Sequence, residues 1–328
     1  MNVSMWLKAL QTIPRISKEK WDGLDVISRW LIATRSAVLV MTLISAIIAG
    51  LLAAKVGMFN GWNFAALAIG LVFAHATNNM LNDFTDYRRG VDKDNYFRTK
   101  YGPQPLEQGL MSERGLLTYA AVTGAVAVVA GLFLFIQQGW LVLALMLVGA
   151  VFVLFYTWPL KYIGLGELAV ILVWGPLMVG GGYFAITGLW SWNVCLASLP
   201  YALAVTTVIF GKHIDKLPED KAKGIHTLPV LIGEKAGRYI VYAMFALQYL
   251  AVVYLVVIRF FSPWMLLVFL TLFWIKPVLQ IYAQPKPAER PAEYGEDVWP
   301  LWFVASAFYH TRIYGMFFVV GLILNLIF

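Results

Sequence analysis

Nine apolar stretches, at about residues 30–53, 61–83, 115–136, 140–157, 166–187, 194–212, 238–258, 263–283 and 306–327, run through this chain from end to end. A helix needs about 20 residues to cross the roughly 30 Å of a bilayer's hydrocarbon core, and these runs are of that order. Hydrophobic residues make up 60% of the 328 and charged residues only 13%, a balance that no ordinary soluble domain of this size carries. The sequence therefore predicts an all-α fold. It describes a polytopic membrane protein, a bundle of nine transmembrane helices in which residues 29–328 form a single domain.

Charge then sets orientation, because Lys and Arg accumulate in loops that stay on the cytoplasmic side. With the N-terminus inside, the outer loops hold only Lys55 and Arg259, while the rest of the 25 basic residues and all 18 acidic ones fall in or beside cytoplasmic segments. The expectation is a multi-pass protein of the cell (inner) membrane whose N-terminus and polar site face the cytoplasm. Residues 1–28 mix Trp6, Leu7 and Leu10 with Lys8, Arg15, Lys18 and Lys20 and lack the apolar core of a secretory signal. They read as a cytoplasmic amphipathic segment resting on membrane lipids. The net charge of +7 is accounted for by topology and anionic headgroups, so no nucleic acid is expected as a partner. The single cysteine, Cys195, excludes an intrachain disulfide and reads as a packing residue.

Two acidic clusters stand out against this background: Asn82-Asp83-Phe84-Thr85-Asp86 through Asp92 after the second span, and Asp215 through Glu219-Asp220 after the sixth. Ionisable groups at a membrane boundary need neutralising, and two clusters on one face suggest a shared divalent-cation site. Asn79, Asp83 and Asp86 fall at i, i+4 and i+7, and Asn82 and Asp86 at i and i+4, so they share a helical face that His75 extends. On a membrane helix such a stripe must face the bundle interior or water, which predicts a cytoplasm-facing polar cavity. Capping would account for one or two of these residues, not for an array. Hard oxygens at these spacings suit Mg²⁺, which binds through one or two carboxylates plus substrate phosphates, with Asp83, Asp86 and Asp92 as candidate ligands.

Of the basic residues that follow, Arg98 and Lys100 read as phosphate contacts, and Arg88 and Arg89 as solvated loop charges. In the second cluster Asp215 and Glu219 have the i, i+4 spacing of one helical face, whereas Pro218 could end the helix and bring Asp215 and Asp220 together. All three are candidate ligands. Lys161, the sole basic residue between the fourth and fifth spans, could hold an anion or snorkel to the interface. Tyr156 could touch substrate or belong to the aromatic belt. His310 and Arg312 read as structural.

The run NDFTDYRRGVD resembles the first aspartate-rich motif of the UbiA superfamily of intramembrane prenyltransferases, in the longer-spaced form of its menaquinone-pathway branch. GPQPLEQGLMSERG is similar to the segment that follows that motif. The stretch GKHIDKLPEDKAKGIHTLPVLIGEKAGR resembles the second motif, with Asp220, Gly224, Thr227 and Leu228 matching in order, but Asp215 and Asp220 are five apart where the family usually has four. YTWPLKYIGLGE also looks like the superfamily's intervening loop.

The resemblance implies that Asp83, Asp86, Asp215 and Asp220 are catalytic, holding Mg²⁺ against the diphosphate of a polyprenyl donor. Asn79, Asn82, Arg98, Lys100, Tyr156 and Lys161 would bind substrate. It implies transfer of the prenyl group to an aromatic acceptor, 1,4-dihydroxy-2-naphthoate for the menaquinone branch. Other acceptors (4-hydroxybenzoate, homogentisate, lipids) and terpene cyclisation stay open. A cation-coupled transporter is the alternative from another class, but transporters hold such carboxylates near the midplane on broken helices rather than at one face beside basic loops.

Overall fold

The computed structural model describes residues 2–93, 102–295 and 298–328, and among them every regular element is helical. Three short N-terminal helices, α1 (Val3–Gln11), α2 (Lys18–Asp22) and α3 (Val26–Ala33), precede α4 (Leu39–Lys55) and α5 (Gly61–Arg88). Then come α6 (Glu113–Gln138), α7 (Trp140–Phe155) and α8 (Gly166–Leu172), which runs through a π-helical stretch, Val173–Gly180, into α9 (Gly181–Thr187). The second half holds α10 (Trp192–Asp215), the small α11 (Leu217–Ala222) and α12 (Leu228–Ile232), α13 (Glu234–Val257), a 3₁₀ run Pro263–Thr271 leading into α14 (Leu272–Ala283), and α15 (Phe303–Ile327).

Among the described residues, eight helices are long and apolar enough to cross a membrane. The ninth expected span is α7, whose 16 residues rise about 24 Å, short of the hydrocarbon thickness. The first span begins later than its hydrophobicity suggests. Arg35, at φ 53° and ψ 52°, interrupts the helix between α3 and α4. The second runs five residues past the expected end at 83, so that Asp86 as well as Asp83 lies inside α5.

Outward-facing positions are apolar, as lipid contact requires: Ile136, Val129 and Phe273 are each at least two-thirds exposed. Trp62, Trp140 and Trp192, at the starts of α5, α7 and α10, are exposed at the end of the bundle opposite the aspartates, where an aromatic belt belongs. The centre of the bundle is α10, packed on α13, α15 and the π-helical stretch. A side chain at Gly211 would lie 2.8 Å from the carbonyl carbon of Phe303, so only glycine lets α10 approach the start of α15 this closely. Pro176 and the non-helical backbone of Gly175 explain the π-helical irregularity, and Trp174 beside them turns toward the interior.

The N-terminal segment is folded onto the bundle. Asp25, the N-cap of α3, accepts from its own Ser28 N–H and Oγ, and also from the Asn2 N–H and Trp6 Nε1 of α1. Ala9, Trp21, Leu31, Ile32 and Leu110 form a small core beneath it. One face of α1 thus packs inward, while Val3, Leu7 and Leu10 stay exposed, as an interfacial helix would leave them.

Candidate active site

A cavity of about 1320 Å³ occupies the middle of the bundle, above the ordinary range for small-molecule pockets. Most of its wall is apolar, including Met41, Leu71, Met146 and Trp174. At the end nearest the acidic clusters it meets Asn79, Asn82, Arg35, Lys212 and Arg312, with Lys8 and Arg15 of the N-terminal segment. Among the described residues that line it there are five cations and no carboxylate. Its polar end is therefore suited to an anion, although the sequence's most prominent feature is acidic.

The reason lies in how the aspartates are held. Asp83, 2% exposed, pairs with Arg35. Asp86 accepts from Lys161 Nζ through both oxygens, at 2.8 and 3.1 Å. Asp220 pairs with Lys216 at 3.1 Å. Each carboxylate thus has a cation of its own, as buried charges require. Asn79 donates to the Thr34 carbonyl at 2.8 Å, which fixes α5 against the chain turn that carries Arg35. Asp92, just past α5, is also buried.

Asp215 is placed differently. Its two oxygens accept from the Phe303 and Val304 N–H groups at 3.1 and 2.9 Å, capping α15, and Lys286 lies 3.6 Å away. The helix ends there and restarts at Leu217 with Pro218 in its first turn, so Asp215 and Glu219 do not share a helical face. Asp220 is the member of this cluster that comes near the first one. The Tyr162 phenol is pushed up to about 12 by its burial and by the carboxylates of Asp86 and Asp220, with Arg89 pulling the other way. Tyr294, on the far side of Asp215, is raised to about 12 by burial and that carboxylate.

The loops that carry the two clusters are clasped together. Lys223 Nζ donates to the carbonyls of Gly90, Val91 and Lys93, at 3.2, 2.6 and 2.6 Å. Glu167, in the first turn of α8, meets His213 Nδ1 at 2.5 Å and accepts from the Leu228 N–H at 3.3 Å. Arg88 pairs with Glu113, and Arg89 stacks 4.6 Å from the centre of the Trp158 ring. Tyr156 lines the cavity. His310 is buried against Gln248 at 2.9 Å. Arg98 and Lys100 lie outside the described residues.

No group of three or more His, Cys, Asp or Glu among the described residues stands ready to hold a metal ion. The donor chemistry nonetheless fits a hard divalent cation. Asp220 Oδ2 and Glu219 Oε2, on neighbouring residues, are buried oxygens with no hydrogen-bond partner.

Arg35, Lys212, Lys216, Lys223 and the Glu167–His213 pair were not among the candidates the sequence supplied. Arg35 carried a legible signal, a charge inside a predicted span.

Residues 42–306 match the UbiA prenyltransferase family. The 1,4-dihydroxy-2-naphthoate octaprenyltransferase of Bacillus subtilis is 25% identical over 268 residues, 80% of this chain and 81% of that protein. The digeranylgeranylglyceryl phosphate synthase of Natronomonas pharaonis is 30% identical over 201 residues, 61% of this chain and 66% of its own length. Among solved structures, a UbiA homolog from Archaeoglobus fulgidus bound to GPP and Mg²⁺ superposes with a TM-score of 0.58 at 14% identity, covering 90% of this chain and 99% of that one.

Proposed function

The chain belongs to the UbiA prenyltransferase family, and from that premise we propose that it transfers a polyprenyl group from polyprenyl diphosphate to 1,4-dihydroxy-2-naphthoate, with Mg²⁺ as cofactor. That it is a membrane-embedded prenyltransferase follows from the family and its named relatives. The observation that carries the finer reading is the cavity: a long apolar volume that ends in a cluster of cations. A long isoprenoid with a polyanionic head has the same two parts. The naphthoate acceptor is supported by the Bacillus relative, and the metal by the archaeal homolog bound to Mg²⁺.

The residues divide the work. Lys161, Lys216 and Lys212 surround Asp86, and Arg35 faces Asp83 across the same mouth. When the carbon–oxygen bond of the donor breaks, both electrons leave with the diphosphate, and cations fixed beforehand stabilise that charge without reorganising. The isoprenoid tail lies along Met41, Leu71, Met146 and Trp174, an apolar wall that keeps water from the allylic cation left at its head. The ring carbon that bears the acceptor's carboxylate then forms the new carbon–carbon bond, and the carboxylate leaves as CO₂, its bonding electron pair restoring the aromatic ring. Asp220 and Glu219, with Asp83 and Asp86, would hold Mg²⁺, which supplies further positive charge to the leaving group.

The test is incubation of the purified protein with Mg²⁺, radiolabelled polyprenyl diphosphates and a panel of acceptors. Metal-dependent prenylated naphthoate with release of CO₂ is the expected result. Absence of any metal-dependent product, or full activity after Asp83→Ala and Asp86→Ala, would overturn the reading. A glycerol-lipid product instead of a naphthoid one would favour the chemistry named for the Natronomonas relative.

A further inference from the structure

Among the described residues, Lys55 and Arg259 are the only cations of the loops on the face opposite the aspartates, and the fold brings them, 204 residues apart in sequence, to one pocket. Arg35 lies at the aspartate end of the first span, whose 20 residues to Lys55 rise about 30 Å, so this pocket is a bilayer's thickness away from the active site. The pocket measures about 540 Å³ and lies between the end of α4, the turn after α13 and the end of α15.

Its polar lining consists of donors. Lys55 Nζ bonds the Phe260 carbonyl and lies 5.0 Å from the centre of that ring, which fixes the ammonium at the pocket edge. Asn325 Oδ1 accepts from the Ser262 N–H at 2.6 Å, so the amide is oriented and its Nδ2 is left buried without a partner. Ser262 Oγ is likewise buried and unpartnered, although the residue stands at the N-cap of the helix beginning at Pro263 and makes no side-chain cap bond. That helix's N-terminus adds its own positive end. The remaining lining is apolar, and Val257 and Phe328 are exposed by 72% and 76% at its lipid side.

Arg259 occupies left-handed backbone at φ 59°, a conformation that disfavours a residue with a Cβ. Glycine would suit that turn better if only the turn mattered.

Donors without partners, two cations and an apolar flank at a membrane surface together fit one kind of ligand. We propose that this pocket binds the phosphate of an anionic glycerophospholipid, with the phosphate on Lys55, Arg259, Ser262 and Asn325 and an acyl chain along Val257 and Phe328. The proposal is independent of the transferase reading. It concerns a lipid that stays bound, at a site separate from catalysis.

Thermal unfolding of the full-length protein in neutral detergent tests it, with added phosphatidylglycerol, phosphatidylcholine or inorganic phosphate. Phosphatidylglycerol should raise the midpoint above that in phosphatidylcholine. Arg259→Gly, which removes the cation from a backbone that suits glycine, should keep the midpoint in phosphatidylcholine and lose most of the extra shift. Lys55→Gln should weaken the shift too, and native mass spectrometry should show one tightly held phosphatidylglycerol on the wild type and none on the Arg259→Gly, Lys55→Gln double variant. An equal shift in both lipids, or an undiminished shift in Arg259→Gly, would overturn the site. A shift reproduced by inorganic phosphate alone would overturn the lipid assignment.

Discussion

Lys161 touches both oxygens of Asp86 from another loop, and both groups are almost fully buried. Without Lys161, Asp86 keeps the charges of Lys216 and Lys212 but loses both of its hydrogen bonds to a cation, and without Asp86 the Lys161 ammonium is a buried charge that has lost its carboxylate, a cost of several kcal/mol. Lys161→Met should therefore lower both the unfolding midpoint and activity, the latter about 10²-fold or more. Lys161→Arg should recover the midpoint more fully than the rate, because a planar guanidinium can neutralise Asp86 without matching the geometry of a point charge. Equal losses in both variants on both readouts would refute a catalytic share for Lys161. At this scale the sequence was informative where a helical period was at work. The spacing of Asn79, Asn82, Asp83 and Asp86 put them on one face of α5, and they are all buried there. It was uninformative about partners. Nothing in the order of residues couples Arg35 to Asp83, since that contact is made between the turn after α3 and the interior of α5. Pro218 announced a break in the chain but not which carboxylate would turn inward, and it is Asp220 that faces Tyr162 while Asp215 caps α15.

The N-terminal helices are held by a small apolar core and by the Asp25 carboxylate, and only the second of these titrates. Partial burial acts to raise the Asp25 carboxyl, but donors from Ser28, Asn2 and Trp6 outweigh it and hold it well below the usual carboxylate range. The sign follows from that depression. Protons bind the unfolded carboxyl first, so the attachment is at full strength above about pH 4 and weakens as pH falls toward the lower folded value. Acidification below pH 4 should release α1, seen as faster amide exchange in residues 3–11 and a change in Trp6 emission, and Asp25→Asn should show the loosened state already at neutral pH. An exchange rate that is flat with pH in the wild type would refute the assignment. The hydrophobic spans were legible as elements because twenty apolar residues have few alternatives in lipid. Their ends were not, because polar residues such as Asp83 and Asp86 continue α5 when cations from elsewhere in the fold receive them.

For the whole molecule the cavity decides which donors fit. Its far end, opposite the aspartates, is bounded by Leu134, Val142 and Ala185, near the distal ends of α6, α7 and α9. Ala185→Phe should fill that end and shift the preferred donor toward shorter prenyl chains, with little change in the rate for the shortest. An unchanged chain-length profile would mean the tail does not reach so far. The wall there is thin. The short α7 lines the cavity through Leu145, Met146, Leu147 and Leu154, and the last two are also exposed by 61% and 58%. Side chains of one helix thus border the cavity and the outer surface at once, so the donor meets the protein as a solute of the membrane. The concentration that governs saturation is then its mole fraction among lipids, and diluting a fixed amount of donor with inert lipid should lower the rate even when its molarity in the tube is unchanged.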